Sequence, residues 1–330
     1  MMDKPYYPFG VYLKERFGSR VHKVAIDAGF TCPNINGTKG NGGCVFCNNE
    51  GFSYNSRIAL RPITDQIEKG IEFMRGRFKA TKFMAYFQAH TNTFAPTPQL
   101  KTLFDQVVPY DEIVALSVGT RPDSISLKTL DLLESYSDRF EVWVEYGLQS
   151  VHNRTLQRIN RCDTYERFLW AIDETSKRNL KICVHVILGL PGESQEDMMN
   201  TAEKLQPLPF HSIKVHLIHV MKNTPLEKDY VEGTFTLPTM EEYVQTCADF
   251  VERIHPDISI QRLTADAPLS VLVAPLWCQE RQKIIQSIEE ELIRRGTRQG
   301  SRVPANIRQD LSWKKEANRH AAFPQIIQLA

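Results

Sequence analysis

The sequence predicts an α/β protein, an open, partial (β/α)6 barrel with a C-terminal extension. Three observations point there. Between Val21 and Ile254, short strand-like apolar runs alternate six times with stretches of helical period. The runs are apolar enough to be covered on both faces, which is the habit of parallel strands joined by helical crossovers. Residues able to carry chemistry gather just after the strands, at the ends where barrels keep their active sites. Six units fall short of the eight that close a full barrel.

Residues 1–20 form a lead-in, in which KPYYPFGVYLKERFG (Lys4–Gly18) supplies a helical turn or two. HKVAIDAGF (His22–Phe30) is the first strand and runs directly into the loop Thr31–Arg57. Thr64 is placed to N-cap a helix to about Arg77, with Ile67, Ile71 and Met74 on one face. KFMAYFQ (Lys82–Gln88) is the second strand, TNTFAPTP breaks it, and Gln99–Val108 is helical. EIVALSVGT (Glu112–Thr120) leads to a helix at Leu127–Tyr136. FEVWVEYGLQS (Phe140–Ser150) leads to helices at Asn153–Ile159 and Tyr165–Arg178. LKICVHVILGLPGE (Leu180–Glu193) ends in a Gly/Pro turn, after which Ser194 caps a helix to Leu205. SIKVHLIHV (Ser212–Val220) and a helix at Met240–Ile254 complete the sixth unit, so the barrel spans 21–255.

The extension, 256–330, opens with Ile258–Trp277, which offers a last strand and an apolar segment to close one end. A helix follows at Gln279–Arg295. The tail beyond Gly296 sets Arg298, Arg302, Arg308, Lys314, Lys315 and Arg319 against Asp310 and Glu316, a basic stretch.

Composition narrows the function. The hydrophobic share of 42% and charged share of 24% are those of an ordinary globular protein. Lys+Arg 40 against Asp+Glu 39 gives +1, so no global field draws the chain onto nucleic acid, although a local patch would. No apolar run reaches membrane length and Met1–Tyr12 lacks a signal-peptide pattern, so the cytoplasm is expected, with no membrane partner. Seven cysteines, an odd number, read as reduced thiols or metal ligands.

Three of them are grouped. Cys32, Cys44 and Cys47 stand in C-x11-C-x2-C spacing in a loop rich in Gly, Asn and Pro, a loop flexible enough to fold its thiolates around one metal centre. A structural zinc normally takes four ligands, which would require a further one such as His22 or His90. A four-iron cluster held by three thiolates would leave one iron open to a small molecule. Cys162, Cys183, Cys247 and Cys278 are scattered and read mostly as small buried apolar residues, with Cys278 in APLWC kept as a substrate-side thiol. Glu145, a carboxylate within the fourth strand, is expected to point into the barrel and join the catalytic groups.

HKVAIDAGFTCPN, GGCVFCNNEGF, YFQAHTNTFAP, VGTRPD, VEYGLQS with HNRTLQRINR, HVILGLPGE and APLWC, in this order, resemble the radical S-adenosylmethionine (SAM) superfamily. Within it the chain is most similar to the Elongator-subunit-3-like group and its stand-alone bacterial YhcC/YtqA-type subgroup. The long first cysteine gap departs from the C-x3-C-x2-C of most of the superfamily but fits this group. No acetyltransferase-like second domain is seen, so the acyl transfer of Elongator does not carry over. The resemblance implies a TIM-like partial barrel. It implies that Cys32, Cys44 and Cys47 hold a [4Fe–4S] cluster whose fourth iron chelates SAM, and that an electron from a donor such as flavodoxin or ferredoxin splits SAM to a hydrogen-abstracting 5′-deoxyadenosyl radical.

Phe46 matches the aromatic position near the adenine, and Gln88 the turn near the methionine amine. Gln149 and Arg161 match positions that touch the ribose and the SAM carboxylate, where the planar fork of an arginine is apt. His185 matches a ribose-contacting position, and Gly189 with Pro191 and Gly192 a backbone close to the adenine. The implied substrate is transfer RNA, at a wobble uridine side chain, for instance 5-carboxymethylaminomethyl converted to 5-aminomethyl. The basic tail and the Lys/Arg among aromatics at Lys4–Arg16 agree with an RNA partner. A small-metabolite substrate and a non-catalytic, zinc-dependent RNA-binding protein are the competing readings.

Overall fold

The computed structural model describes residues 4–48 and 59–306. The end of the cysteine loop (49–58) and the basic residues of the tail from Arg308 onwards lie outside the described residues.

Seven strands form one parallel sheet in the order β1 (Val21–Ile26), β2 (Lys82–Phe87), β3 (Ile113–Thr120), β4 (Glu141–Gln149), β5 (Lys181–Leu188), β6 (Ser212–Leu217), β8 (Ser259–Arg262). The seventh strand comes from the extension, where Ile258–Trp277 offered one. Seven strands at ~4.8 Å spacing would set the edges of a flat sheet ~29 Å apart. Yet Lys23 Nζ on β1 donates to Gln261 Oε1 on β8 at 2.6 Å. The sheet is therefore rolled into an open barrel whose edge strands face each other across a gap.

Helices cover the outside: α2 (Ile63–Phe78), α3 (Thr97–Asp105), α4 (Leu127–Glu134), α5 (Asn153–Arg158), α6 (Tyr165–Ser176), α7 (Gln195–Leu205), α8 (Pro225–Val231), α9 (Met240–Val251) and α10 (Arg281–Arg294). Their buried faces and the outward strand residues make one apolar core. Ser194 caps α7 as expected, in a full capping box with Asp197. Thr64 does not cap α2. The helix starts at Ile63 with Pro62 in the cap position, because a proline at that boundary has no N–H to satisfy and already has a helix-entry φ.

The lead-in has a definite job. α1 (Phe9–Phe17) plugs the N-terminal end of the barrel, with Phe9 and Leu13 buried against Met84, Ala115, Trp143 and Cys183. Phe9 meets the Trp143 ring edge-on at 5.2 Å. Pro8 pairs with Ile260, so the chain before α1 lies along the free edge of β8. At the other end, a two-stranded ribbon of β7 (Val220–Met221) and β9 (Leu272–Ala274) folds the extension over one side of the mouth. Among the described residues, no helix is long and apolar enough to cross a membrane.

Candidate active site

With one end plugged, the barrel keeps a cavity of ≈ 520 Å³ at the C-terminal ends of its strands. All three loop cysteines line it, Cys44 buried and Cys32 and Cys47 half-buried. The loop is shaped locally. Gly42 and Gly43 take φ +77° and +80°, and a Cβ on Gly40 would sit 2.2 Å from Asn34 Oδ1, so glycine is required for this path. Asn34 donates to the Asn160 carbonyl at 2.5 Å and reaches Cys44 Sγ at 3.7 Å.

Among the described residues, the His/Cys/Asp/Glu set whose ligand atoms lie within 4.8 Å of one another is Glu145, Cys183 and His185, not the loop cysteines. Thiolates on one tetrahedral zinc at about 2.3 Å would sit closer together than that. The wider spacing suits a polynuclear cluster that takes one thiolate per iron. His22, a candidate fourth zinc ligand, stacks on Phe78 at the start of β1, the far end from the loop, while His90 does line the cavity. Desolvation, with Cys44 and Cys32 alongside, pushes the Cys47 thiol up to about 12, and Arg161 and Arg121 only partly oppose this. Such a crowded donor set is relieved when cationic metal replaces its protons.

Arg161 is buried beside the thiols, Nη1 3.7 Å from Cys44 Sγ and Nη2 donating to the Gly147 carbonyl at 2.6 Å. The approach depends on Gly147, where a Cβ would come within 2.9 Å of Gln149 Nε2 and 3.0 Å of Arg161 Nη2. Arg121 pairs with Asp123 at 2.8 Å and donates to the Arg161 carbonyl at 2.8 Å. One buried nitrogen of each arginine, Arg161 Nε and Arg121 Nη1, has no protein partner.

The floor of the cavity is a buried charge cluster centred on Glu145, which is 1% exposed. Its carboxylate accepts from Ser117 Oγ at 2.7 Å, His185 Nε2 at 2.8 Å, Lys23 Nζ at 3.4 Å and Lys214 Nζ. Desolvation would raise its pKa, but Lys214, Lys23 and His185 together hold the carboxyl well below its usual range. Desolvation draws Lys23 down to about 8, and desolvation plus Lys214 draws His185 down to about 4. An ionised, fully engaged carboxylate is a positioning residue for the lysine and the imidazole.

Phe46, Gln88 and Gln149 also line the cavity, as does His185. After β2, Ala89 and His90 take φ 72° and 57°, and Gln149 takes φ 75°. These are left-handed values that non-glycine residues hold only where their surroundings enforce them. Asn92 enforces the first pair, donating to the Ala89 and Gly119 carbonyls at 3.0 and 2.9 Å. Two expected residues are not brought here. Gly189, at φ +85°, turns its backbone into a separate recess of ≈ 300 Å³ beside Leu190, Met198 and Pro238. Cys278 is fully buried in the apolar core, and its neighbour Gln279 reaches the cavity instead.

Sequence reasoning missed Lys23, Lys214, His216, His219, Arg121 and Arg262, all part of this site. A signal was there. Lys214 and His216 sit two apart in a strand between apolar neighbours, as do Glu145 and the inward Gly147, the period of one sheet face.

Comparison with known proteins agrees with this geometry. The model of the radical SAM superfamily matches residues 37–205, and that of the radical SAM C-terminal domain residues 210–294. The uncharacterized protein YtqA of Bacillus subtilis is 36% identical over 298 residues, 90% of this chain and 92% of its own length. The tRNA uridine(34) acetyltransferase of Methanocaldococcus infernus is 28% identical over 165 residues, 48% of this chain and 30% of its own. The solved structure of Methanocaldococcus infernus Elp3 with an N-terminal deletion superposes with a TM-score of 0.63 at 18% identity, over 84% of this chain and 64% of that one. Matched over half its length by the superfamily model and over nine-tenths by a relative of the stand-alone Elongator-subunit-3-like kind, the chain belongs to the radical SAM superfamily, whose members use a [4Fe–4S] cluster and SAM.

Proposed function

We propose that this radical SAM enzyme acts on the side chain of a wobble uridine in transfer RNA, for instance converting 5-carboxymethylaminomethyluridine to 5-aminomethyluridine. One observation carries the enzymatic part: three thiols, two arginines and the strand ends share one cavity, and the other end of the barrel is plugged by α1. The RNA part is supported by the partial similarity to a tRNA uridine(34) acetyltransferase, although the chain spans 30% of that protein.

In this reading Cys32, Cys44 and Cys47 hold the cluster. When bound, cluster and SAM supply a carbon radical able to take hydrogen from an unactivated C–H bond. The protein's own groups bind and orient. Arg161, fixed by Gly147, presents a planar fork to the SAM carboxylate. Phe46 offers a face to the adenine, and Gln88 and Gln149 offer polar ends to the methionine amine and ribose. Glu145 keeps Lys214 and His185 in place beneath the reacting centre. The segment Ala265–Pro268 and Gln279 wall one side and keep water out. An uridine splayed from the anticodon would enter the mouth, and a donor such as flavodoxin or ferredoxin would deliver the electron.

The test is anaerobic incubation of the reconstituted enzyme, SAM and a reductant with transfer RNA from a strain lacking the gene, followed by nucleoside mass spectrometry. The reading expects one wobble uridine derivative to be consumed and another to appear. Unchanged nucleosides, with 5′-deoxyadenosine still produced, would move the substrate to a small metabolite.

A further inference from the structure

The wall of the cavity formed by β6, β8 and the segment after β8 carries polar groups that the chain leaves unanswered. Arg262, the last residue of β8, lines the cavity, and its guanidinium makes no hydrogen bond or ion pair among the described residues. His219 is 5% exposed, lines the same cavity, and its Nε2 has no partner. His216 Nε2 is likewise buried and unpartnered, its ring set 5.4 Å from that of His185. Lys214 is not available, being bonded to Glu145 and, at 3.0 Å, to Tyr86 Oη.

The charges do not balance. Lys23, Lys214 and Arg262 stand around one buried carboxylate, Glu145, while Asp266 is exposed at the rim. A half-buried guanidinium with no bonded anion is left free for a ligand, and a ligand carboxylate is what its planar fork matches in two parallel hydrogen bonds. A phosphate of the RNA backbone is a poor candidate, since Arg262 lines the same cavity as the buried Glu145. The carboxylate of SAM is the other source. Arg161, anchored on the Gly147 carbonyl of β4, already serves the thiol side, three strands round the sheet from β8.

We propose that Arg262, flanked by His216 and His219, is the seat of a carboxylate borne by the substrate, so that the enzyme selects an anionic side chain. The inference rests on the cavity being the substrate chamber, as in the proposed function. His219 and His216 add hydrogen-bonding nitrogens at the edge of the same seat.

The test measures equilibrium binding to the full-length chain by calorimetry, with two pairs of probes: 5-carboxymethyluridine against its neutral amide, 5-carbamoylmethyluridine, and phenylacetate against phenylacetamide. The wild type is expected to prefer each carboxylate by about tenfold or more, the worth of a charge-assisted pair. Arg262→Gln should erase that preference while binding the amides as the wild type does, and Arg262→Lys, which guards against a folding defect, should keep part of it. SAM binding to the reconstituted protein should be unchanged in both. Preference in the phenylacetate pair alone would uphold the seat and remove the uridine reading. A wild type with no preference, an Arg262→Gln variant that retains it, or a variant that loses SAM affinity instead would overturn the proposal.

Discussion

Lys23 on the first strand and Gln261 on the last are joined side chain to side chain at 2.6 Å, across the gap between the two edges of the sheet. The same ammonium also reaches Glu145 on the central strand at 3.4 Å. One ammonium thus ties both edges of an open barrel to the buried carboxylate at its middle, in the cavity that the thiols also line.

Glu145 is therefore expected to be worth more to the fold than any surface pair. Glu145→Gln leaves Lys23 and Lys214 facing each other without an anion and should cost about 3–5 kcal/mol in urea unfolding. Adding Lys214→Met to Glu145→Leu should cost less than the sum of the single changes, because the second removes a charge stranded by the first. A loss below about 1 kcal/mol for Glu145→Gln would mean that the cluster is not paired in solution.

The histidines set the acid limit. Desolvation first, aided for His185 by Lys214, holds both His185 and His219 at about 4. In the unfolded chain they titrate near 6.5. From pH 6.5 down to 4 the unfolded state binds protons that the folded state refuses, so this contribution is fully present above pH 6.5 and is lost as pH falls through the window. Complete loss is on the order of 3 kcal/mol per ring. Thermal melts between pH 7 and 4 should show the decline, with a shallower one in His219→Gln. Identical slopes in wild type and variant would mean that His219 does not set the acid limit.

Gly147 tests the placement of Arg161. A methyl there meets Gln149 and Arg161 at about 3 Å, and relieving it should push the guanidinium off the thiol side at a cost of roughly 1–3 kcal/mol. Gly147→Ala should weaken SAM binding by about tenfold, and should add little to Arg161→Ala when the two are combined. Additive losses would mean that Gly147 acts on SAM by some other route.

Much of this was legible from the residues. Local signals survived well: Ser194 before an amphipathic run, the Gly-rich cysteine loop, and apolar runs such as KICVHVIL each report a structure decided within a few residues. The short α8 was missed although Thr224 followed by Pro225 is a fair helix start, because seven residues show too little periodicity. The charge cluster was missed for a different reason. Lys23, Glu145, Lys214 and Gln261 are separated by up to 238 positions, and only the curl of the sheet brings them together. Gly189 and Cys278 were placed in the site by their motifs, yet a left-handed turn and a core-facing 3-10 turn direct them elsewhere.

In the proposed function, Cys32, Cys44 and Cys47 make this cavity a SAM-cleaving centre. The direct measurement is anaerobic reconstitution with iron and sulfide, addition of SAM and dithionite, and mass spectrometry for 5′-deoxyadenosine, with alanine variants of the three cysteines in parallel. The expected result is a brown wild type with about four irons per chain that yields 5′-deoxyadenosine, and three colourless or iron-poor variants that yield none. A colourless wild type that retains zinc and makes no 5′-deoxyadenosine, or alanine variants as active as the wild type, would contradict it.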